Sequence, residues 1–125
     1  MWRTGATTAC NCSNEQQRAV STRYVCVRCF GRGGAGPGQL QGPAGLAFGP
    51  RGTAQADLVW VADSGNDRVQ LFESRDGEAL GSWGTRGSGR GQLQGPSGVA
   101  VDMMGCVYIS DYGNSCVQVL LCVGQ

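Results

Sequence analysis

The hexapeptide Gly-Gln-Leu-Gln-Gly-Pro at residues 38–43 recurs without a change at residues 91–96, an offset of 53. A chain that carries one segment twice is built from repeated units, and each unit must bury its apolar face on a neighbour. The match extends in both directions. Gly45, Leu46, Ala47 and Phe48 correspond to Gly98, Val99, Ala100 and Val101, and Phe30 and Gly31 correspond to Trp83 and Gly84. Further on, Val59, Trp60, Val61, Ala62 and Asp63 correspond to Val107, Tyr108, Ile109, Ser110 and Asp111, now at an offset of 48. The first copy therefore holds five extra residues within 49–57. The register then holds, with Asn66 facing Asn114, Val69 facing Val117 and Gln70 facing Gln118.

Each copy reads as short strands separated by turns. Residues 46–48 are a small apolar run after a Gly-Pro turn, and 58–62 are apolar throughout, as a strand covered on both faces would be. Residues 63–66 (Asp-Ser-Gly-Asn) read as a turn in which Asp and Asn bond nearby backbone N–H groups. Residues 68–72 and 78–83 complete four strands, with a hairpin signal at Asp76 and Gly77. Four antiparallel strands per unit of 40–50 residues describe a propeller blade. The fold class expected is all-β, about two four-stranded blades of an incomplete ring. Residues 22–44 form the outer strand of a preceding blade (24–30) plus a linker, 45–83 a blade, and 84–125 a linker and an incomplete blade. Residues 1–21 carry no strand pattern and are expected to be disordered. Trp60 and Tyr108 hold equivalent strand positions and are expected in the core.

Composition narrows the function. The chain has 22 glycines among 125 residues, no histidine, and a net charge of +1. Glycine at that level without a three-residue period signals turns. A charge so near zero gives no global field to attract nucleic acid or an acidic membrane. Lack of histidine removes the commonest general base and the commonest nitrogen ligand for metals, which lowers the expectation of catalysis. No cofactor is expected. The amino terminus lacks the apolar core of a secretory signal, and the longest apolar stretch, 119–123, is far short of a membrane span. Seven cysteines cannot all pair within one chain, so reduced thiols in the cytoplasm are the expectation.

Several residue groups are candidates for chemistry. Residues 31–36 satisfy Gly-x-Gly-x-x-Gly, but Pro37 and Pro43 prevent the helix that a phosphate site needs, so the loop reads as a blade linker. Cys10, Cys12, Cys26 and Cys29 offer a weak zinc alternative, although Cys26 and Cys29 would point to opposite faces of a strand. Cys106, Cys116 and Cys122 read as small buried apolar residues. Asp63 and Asp111 open turns and are followed three residues later by Asn66 and Asn114, a structural pattern rather than a catalytic one. Arg68 reads as a loop anchor. Arg32, Arg86 and Arg90 lie in the two equivalent linkers and would cluster at one end of the blades, while Arg51 lies in the inserted loop. Together they form the candidate binding surface.

Residues 63–72 (Asp-Ser-Gly-Asn-Asp-Arg-Val-Gln-Leu-Phe), with the glycine-rich stretch 31–38 and Gly-Pro at 42–43, resemble the signature of the NHL repeat. The resemblance covers residues 24–122, and in the second copy Cys116 stands where Arg68 stands in the first. It implies a propeller, closed by six blades in most members, that recognises partners through its loops. Members occur in ubiquitin ligases and RNA regulators. The resemblance therefore points to a protein or peptide partner, with RNA binding through the arginine-bearing linkers as one alternative and a fragment of a propeller hydrolase or lyase as another. Intrinsic catalysis and membrane contact are not expected. A partial gene product is the preferred reading of the two-blade count, and self-association into a ring is the other.

Overall fold

The computed structural model describes residues 23–121. The expected disorder of residues 1–21, and Cys10, Cys12 and Cys122, lie outside them. Eleven strands follow in chain order: β1 (Arg32–Gly33), β2 (Gln39–Leu40), β3 (Pro43–Phe48), β4 (Leu58–Asp63), β5 (Arg68–Glu73), β6 (Ala79–Trp83), β7 (Thr85–Arg86), β8 (Gln92–Leu93), β9 (Pro96–Val101), β10 (Val107–Asp111) and β11 (Cys116–Leu120). Strands β3-β4-β5-β6 form one antiparallel sheet and β9-β10-β11 another. These are the two expected blades, the second with three strands among the described residues. Sequence reading missed the two short parallel ladders, β1 with β2 and β7 with β8, that fold each linker back on itself.

The blades stack face to face because residues directly opposite each other across a sheet share a face. Val59, Val61 and Phe72 lie on one face of the first blade, where they pack against Phe30, Leu40 and Ala79. Trp60 and Val69 lie on the other face and meet the second blade, in a cluster with Leu93, Val107, Ile109 and the flanking Val99, Val101 and Leu120. Each fully buried aliphatic side chain there contributes about 1.5–3 kcal/mol, so this seam carries much of the fold. Phe30 and Trp83 are equivalent in structure as in sequence, since each leads a linker and packs on the core of the blade that follows it. The innermost strands, β3 and β9, approach so closely that a Cβ on Gly45 would lie 3.0 Å from the Ser97 carbonyl oxygen and 3.1 Å from Gly98 Cα. Only glycine fits that contact without displacing backbone.

Three expectations are corrected. Residues 24–30 form no strand. An outer strand exists only through hydrogen bonds to a third strand, and among the described residues none lies beside this segment. Tyr108 is not in the core: it is 38% exposed, whereas its counterpart Trp60 packs against the blade seam. The physical reason is that Trp60 faces a following blade and Tyr108, among the described residues, faces none. Cys116 is exposed and Cys106 only half-buried, so neither is a buried apolar filler.

Candidate functional site

Strand direction sorts the loops into two ends. Each linker enters at the start of the innermost strand, and the turn between the second and third strands lies at that same end. The loop between the first and second strands, and the hairpin before β6, lie at the opposite end. The first end therefore holds 31–42 with the 3-10 turn Ser64–Asn66, and 84–95 with the 3-10 turn Tyr112–Asn114.

The two turns are tied to their linkers by the same wiring. Asp63 is fully buried; its Oδ1 accepts the Gln41 N–H at 2.7 Å, and its Oδ2 accepts Asn66 Nδ2 at 2.9 Å, Arg68 Nε at 2.8 Å and Gln70 Nε2 at 3.2 Å. Asn66 also donates to the Gly34 carbonyl, and Gln70 to the Gln39 carbonyl at 2.6 Å. In the second blade Asp111 accepts the Gln94 N–H at 2.8 Å, Asn114 Nδ2 at 2.7 Å and Gln118 Nε2 at 3.2 Å. Asn114 bonds the Gly87 carbonyl and Gln118 the Gln92 carbonyl. The expectation that each Asp bonds its own turn is corrected in detail: neither carboxylate caps the 3-10 turn that follows it, and each reaches across to the linker. Gln70 and Gln118 complete the network and were not singled out from sequence. The signal was the same glutamine at the same repeat position, between apolar neighbours, in both copies.

Arg68 ties its turn to the linker. Besides the Asp63 contact, its Nη2 donates to the carbonyls of Gly36 at 2.9 Å and Gln39 at 2.8 Å. Two glycine amides at the centre of each linker are already bonded within the linker. Gly34 N–H bonds the Leu40 carbonyl and Gly36 N–H the Gln39 Oε1, with the same pair of bonds at Gly87 and Gly89. Gly34 and Gly87 take φ values of 144° and 152°, and a Cβ there would fall 2.3 Å from the Oε1 of Gln39 or Gln92. The linker continues into a strand, not a helix, as its prolines required.

Arg32, Arg86 and Arg90 are exposed at this linker end, in β1, in β7 and beyond β7, and Tyr112 is exposed on the second turn at the same end. Arg51 is brought to the opposite end, where with Phe48, Pro50 and Met103 it lines a shallow hollow of about 340 Å³. The four arginines thus form two surfaces. At that opposite end the Asp102 carboxylate closes the hairpin, accepting the N–H groups of Met104 and Cys106 and the Tyr108 hydroxyl at 3.0 Å. The backbone bond from Cys106 is the main cause that holds its carboxyl below the usual range, and the bond to Asp102 pushes the Tyr108 phenol up.

Among the described residues no cluster of three potential metal ligands occurs. Cys26 and Cys29 sulfurs lie 3.8 Å apart, and Cys29 is disulfide-bonded, so the expectation of uniformly reduced thiols does not hold.

The NHL repeat family matches residues 93–120, which hold the second blade from its linker strand through β11. The chain is 33% identical over 70 residues to human NHL repeat-containing protein 3, and 40% identical over 70 residues to the mouse protein of that name, covering 56% of this chain and 19% of each relative. It is 38% identical over 71 residues to the RING finger protein nhl-1 of Caenorhabditis elegans, covering 57% of this chain and 7% of that one. The chain thus spans about a fifth or less of the length of these relatives. The family match thus places an NHL repeat at residues 93–120, on the second of two copies that share sequence, wiring and strand order.

Proposed function

We propose that the chain is a protein-interaction module whose contact surface is the linker end of its blades. The observation that carries this reading is how the polar groups there divide. Asp63, Asp111, Asn66, Asn114, Gln70, Gln118 and Arg68 are all consumed by internal bonds that make the surface rigid. Arg32, Arg86, Arg90 and Tyr112 are exposed, and their side chains make none of the described bonds. Rigid backbone with unspent Arg and Tyr side chains is the composition that protein interfaces favour. A hydrolase or lyase reading lacks support for the same reason, since both buried carboxylates already hold their donors. The likeness to a protein named for a RING finger makes a ubiquitin-ligase assembly a suitable setting, with ligase chemistry supplied by another domain.

RNA is the second reading, because three exposed arginines and an exposed tyrosine at one end of the blades suit a phosphate backbone and a stacked base. One experiment separates the two. The triple variant Arg32→Glu, Arg86→Glu, Arg90→Glu is compared with wild type for protein capture from lysate and for binding a labelled 20-nucleotide single strand across a salt series. The interaction reading expects loss of protein capture at unchanged melting temperature. Unchanged capture would sink it. Strand binding whose log-log salt slope is about −2, as three phosphate contacts give, would replace it with the RNA reading.

A further inference from the structure

Accessible charge is sorted between the two ends of the blades, and we propose that the linker end takes an acidic peptide segment of its protein partner, pairing Arg32, Arg86 and Arg90 with carboxylates; this rests on the reading of that end as the contact surface. Among the described residues the exposed carboxylates are Asp57, Asp76 and Glu78, and all three lie at the opposite end, with half-buried Glu73 and Asp102. There Arg75 already pairs with Asp57 at 3.4 Å and with Glu73 at 3.7 Å. The linker end has the three exposed arginines and, among the described residues, no exposed carboxylate.

The aspartates of that end are engaged elsewhere. Asp63 and Asp111 are fully buried and hold donors of the chain itself, and half-buried Asp67 accepts the Gly95 N–H at 2.8 Å. None of the described ion pairs joins them to Arg32, Arg86 or Arg90. The carboxylates of the opposite end are too distant to take their place. β4 and β5 each run for 6 residues, which separates the ends by about 20 Å. Charges that far apart in water are largely screened at physiological salt, where the screening length is about 8 Å. The three arginines therefore remain available for a carboxylate that arrives from outside.

Contact chemistry favours a peptide over a polyanion. With Arg68 the linker end holds four arginines, and Asp63, Asp67 and Asp111 leave it a single positive charge in balance. So small a balance draws no polyanion from a distance. Pairing at contact is different, because a guanidinium is a planar fork that holds one carboxylate by two parallel N–H bonds. Repeat positions agree. The offset of 53 sets Arg32 level with Thr85, Arg86 with Gly33 and Arg90 with Pro37, so the cations do not recur from blade to blade as a repeating phosphate backbone requires. Tyr112 has Ser64 as its counterpart, which gives one aromatic group rather than a row for successive bases. What does recur is Gln41 and Gln94, both exposed, whose carboxamides donate to and accept from peptide groups. Such a surface matches a short segment of fixed sequence that carries about three carboxylates.

The test selects random 12-residue peptides, displayed on phage, on the full chain. Selected sequences should be enriched in Asp and Glu. Replacing those residues by Asn and Gln in the synthetic peptide should weaken binding about tenfold, since each exposed pair contributes roughly 1.5- to 5-fold. Arg32→Gln, Arg86→Gln and Arg90→Gln together should give the same loss at unchanged melting temperature, whereas Arg51→Gln at the opposite end should give none. An empty selection would overturn the acidic partner. Peptides without acidic enrichment whose binding still falls in the triple variant would also overturn it, while leaving the linker end as the contact surface. Peptide binding that the triple variant does not change would overturn both. A 20-nucleotide single strand that displaces the selected peptides at equal concentration and physiological salt would assign the arginines to RNA instead.

Discussion

Arg68 and Cys116 occupy the same position in two networks that are otherwise alike, so substitution in both directions measures what the arginine contributes. Arg68→Ala removes three hydrogen bonds, one of them to the buried carboxylate of Asp63 at 2.8 Å. Hydrogen bonds to charged groups contribute about 1.5–3 kcal/mol each, and a buried charge stripped of its partner costs about 3–5 kcal/mol. Neither figure applies in full. Asp63 would keep the Gln41 N–H, Asn66 and Gln70; the Gly36 carbonyl would keep the Gln39 N–H, and the Gln39 carbonyl would keep Gln70. Asp111 stands with that reduced set already. No buried group is orphaned, and the expected loss is therefore about 2 kcal/mol. Cys116→Arg should gain less, about 1 kcal/mol, because ordering an arginine side chain consumes part of the return. The assay is urea unfolding followed by tryptophan fluorescence, since Trp60 and Trp83 both border the blade seam. With a slope of about 1–3 kcal/mol per molar urea, Arg68→Ala should lower the midpoint by roughly 1 M. A change within about 0.5 kcal/mol, or a destabilised Cys116→Arg, would refute the reasoning and free Arg68 for a role in binding.

Val61→Asp and Val107→Asp each place a charge among apolar side chains with no partner and should cost about 3–5 kcal/mol, enough to abolish a cooperative thermal transition; an unchanged melt would contradict the strand assignment. Gly45→Ala drives a methyl into the Ser97–Gly98 backbone and should cost about 1–3 kcal/mol, whereas Gly98→Ala, whose methyl would meet only the Ser110 hydroxyl, should cost less than half as much, a difference visible in the same urea titration. Tyr108 should ionise above the ordinary phenol range in an ultraviolet titration, and Asp102→Asn should bring it back. Because the phenol's pKa is raised on folding, the stability this bond contributes is fully present below pH 10 and is lost as pH rises through the folded value; because the Asp102 carboxyl is held low, its share is present above the ordinary carboxylate range and is lost on acidification through its own folded value.

Local pattern determined a great deal here. The duplicated hexapeptide, the shift from an offset of 53 to 48 and the apolar runs located both blades, the strands within them and the inserted loop, because a blade is a meander of neighbours whose hydrogen bonds join consecutive segments. Pro37 and Pro43 likewise excluded a phosphate-binding helix from the sequence alone. Tertiary structure decided whatever depends on a partner distant along the chain. Asp63 reads as a turn former until the linker, some twenty residues earlier, is folded against it and supplies the Gln41 N–H. Residues 24–30 align with the run that ends at Trp83, yet strand conformation needs a hydrogen-bonded neighbour, and the described chain offers none. Trp60 and Tyr108 are equivalent in sequence and differ in burial for the same cause. Position within a blade is written in the residues, but exposure is set by what stands on the blade's other side.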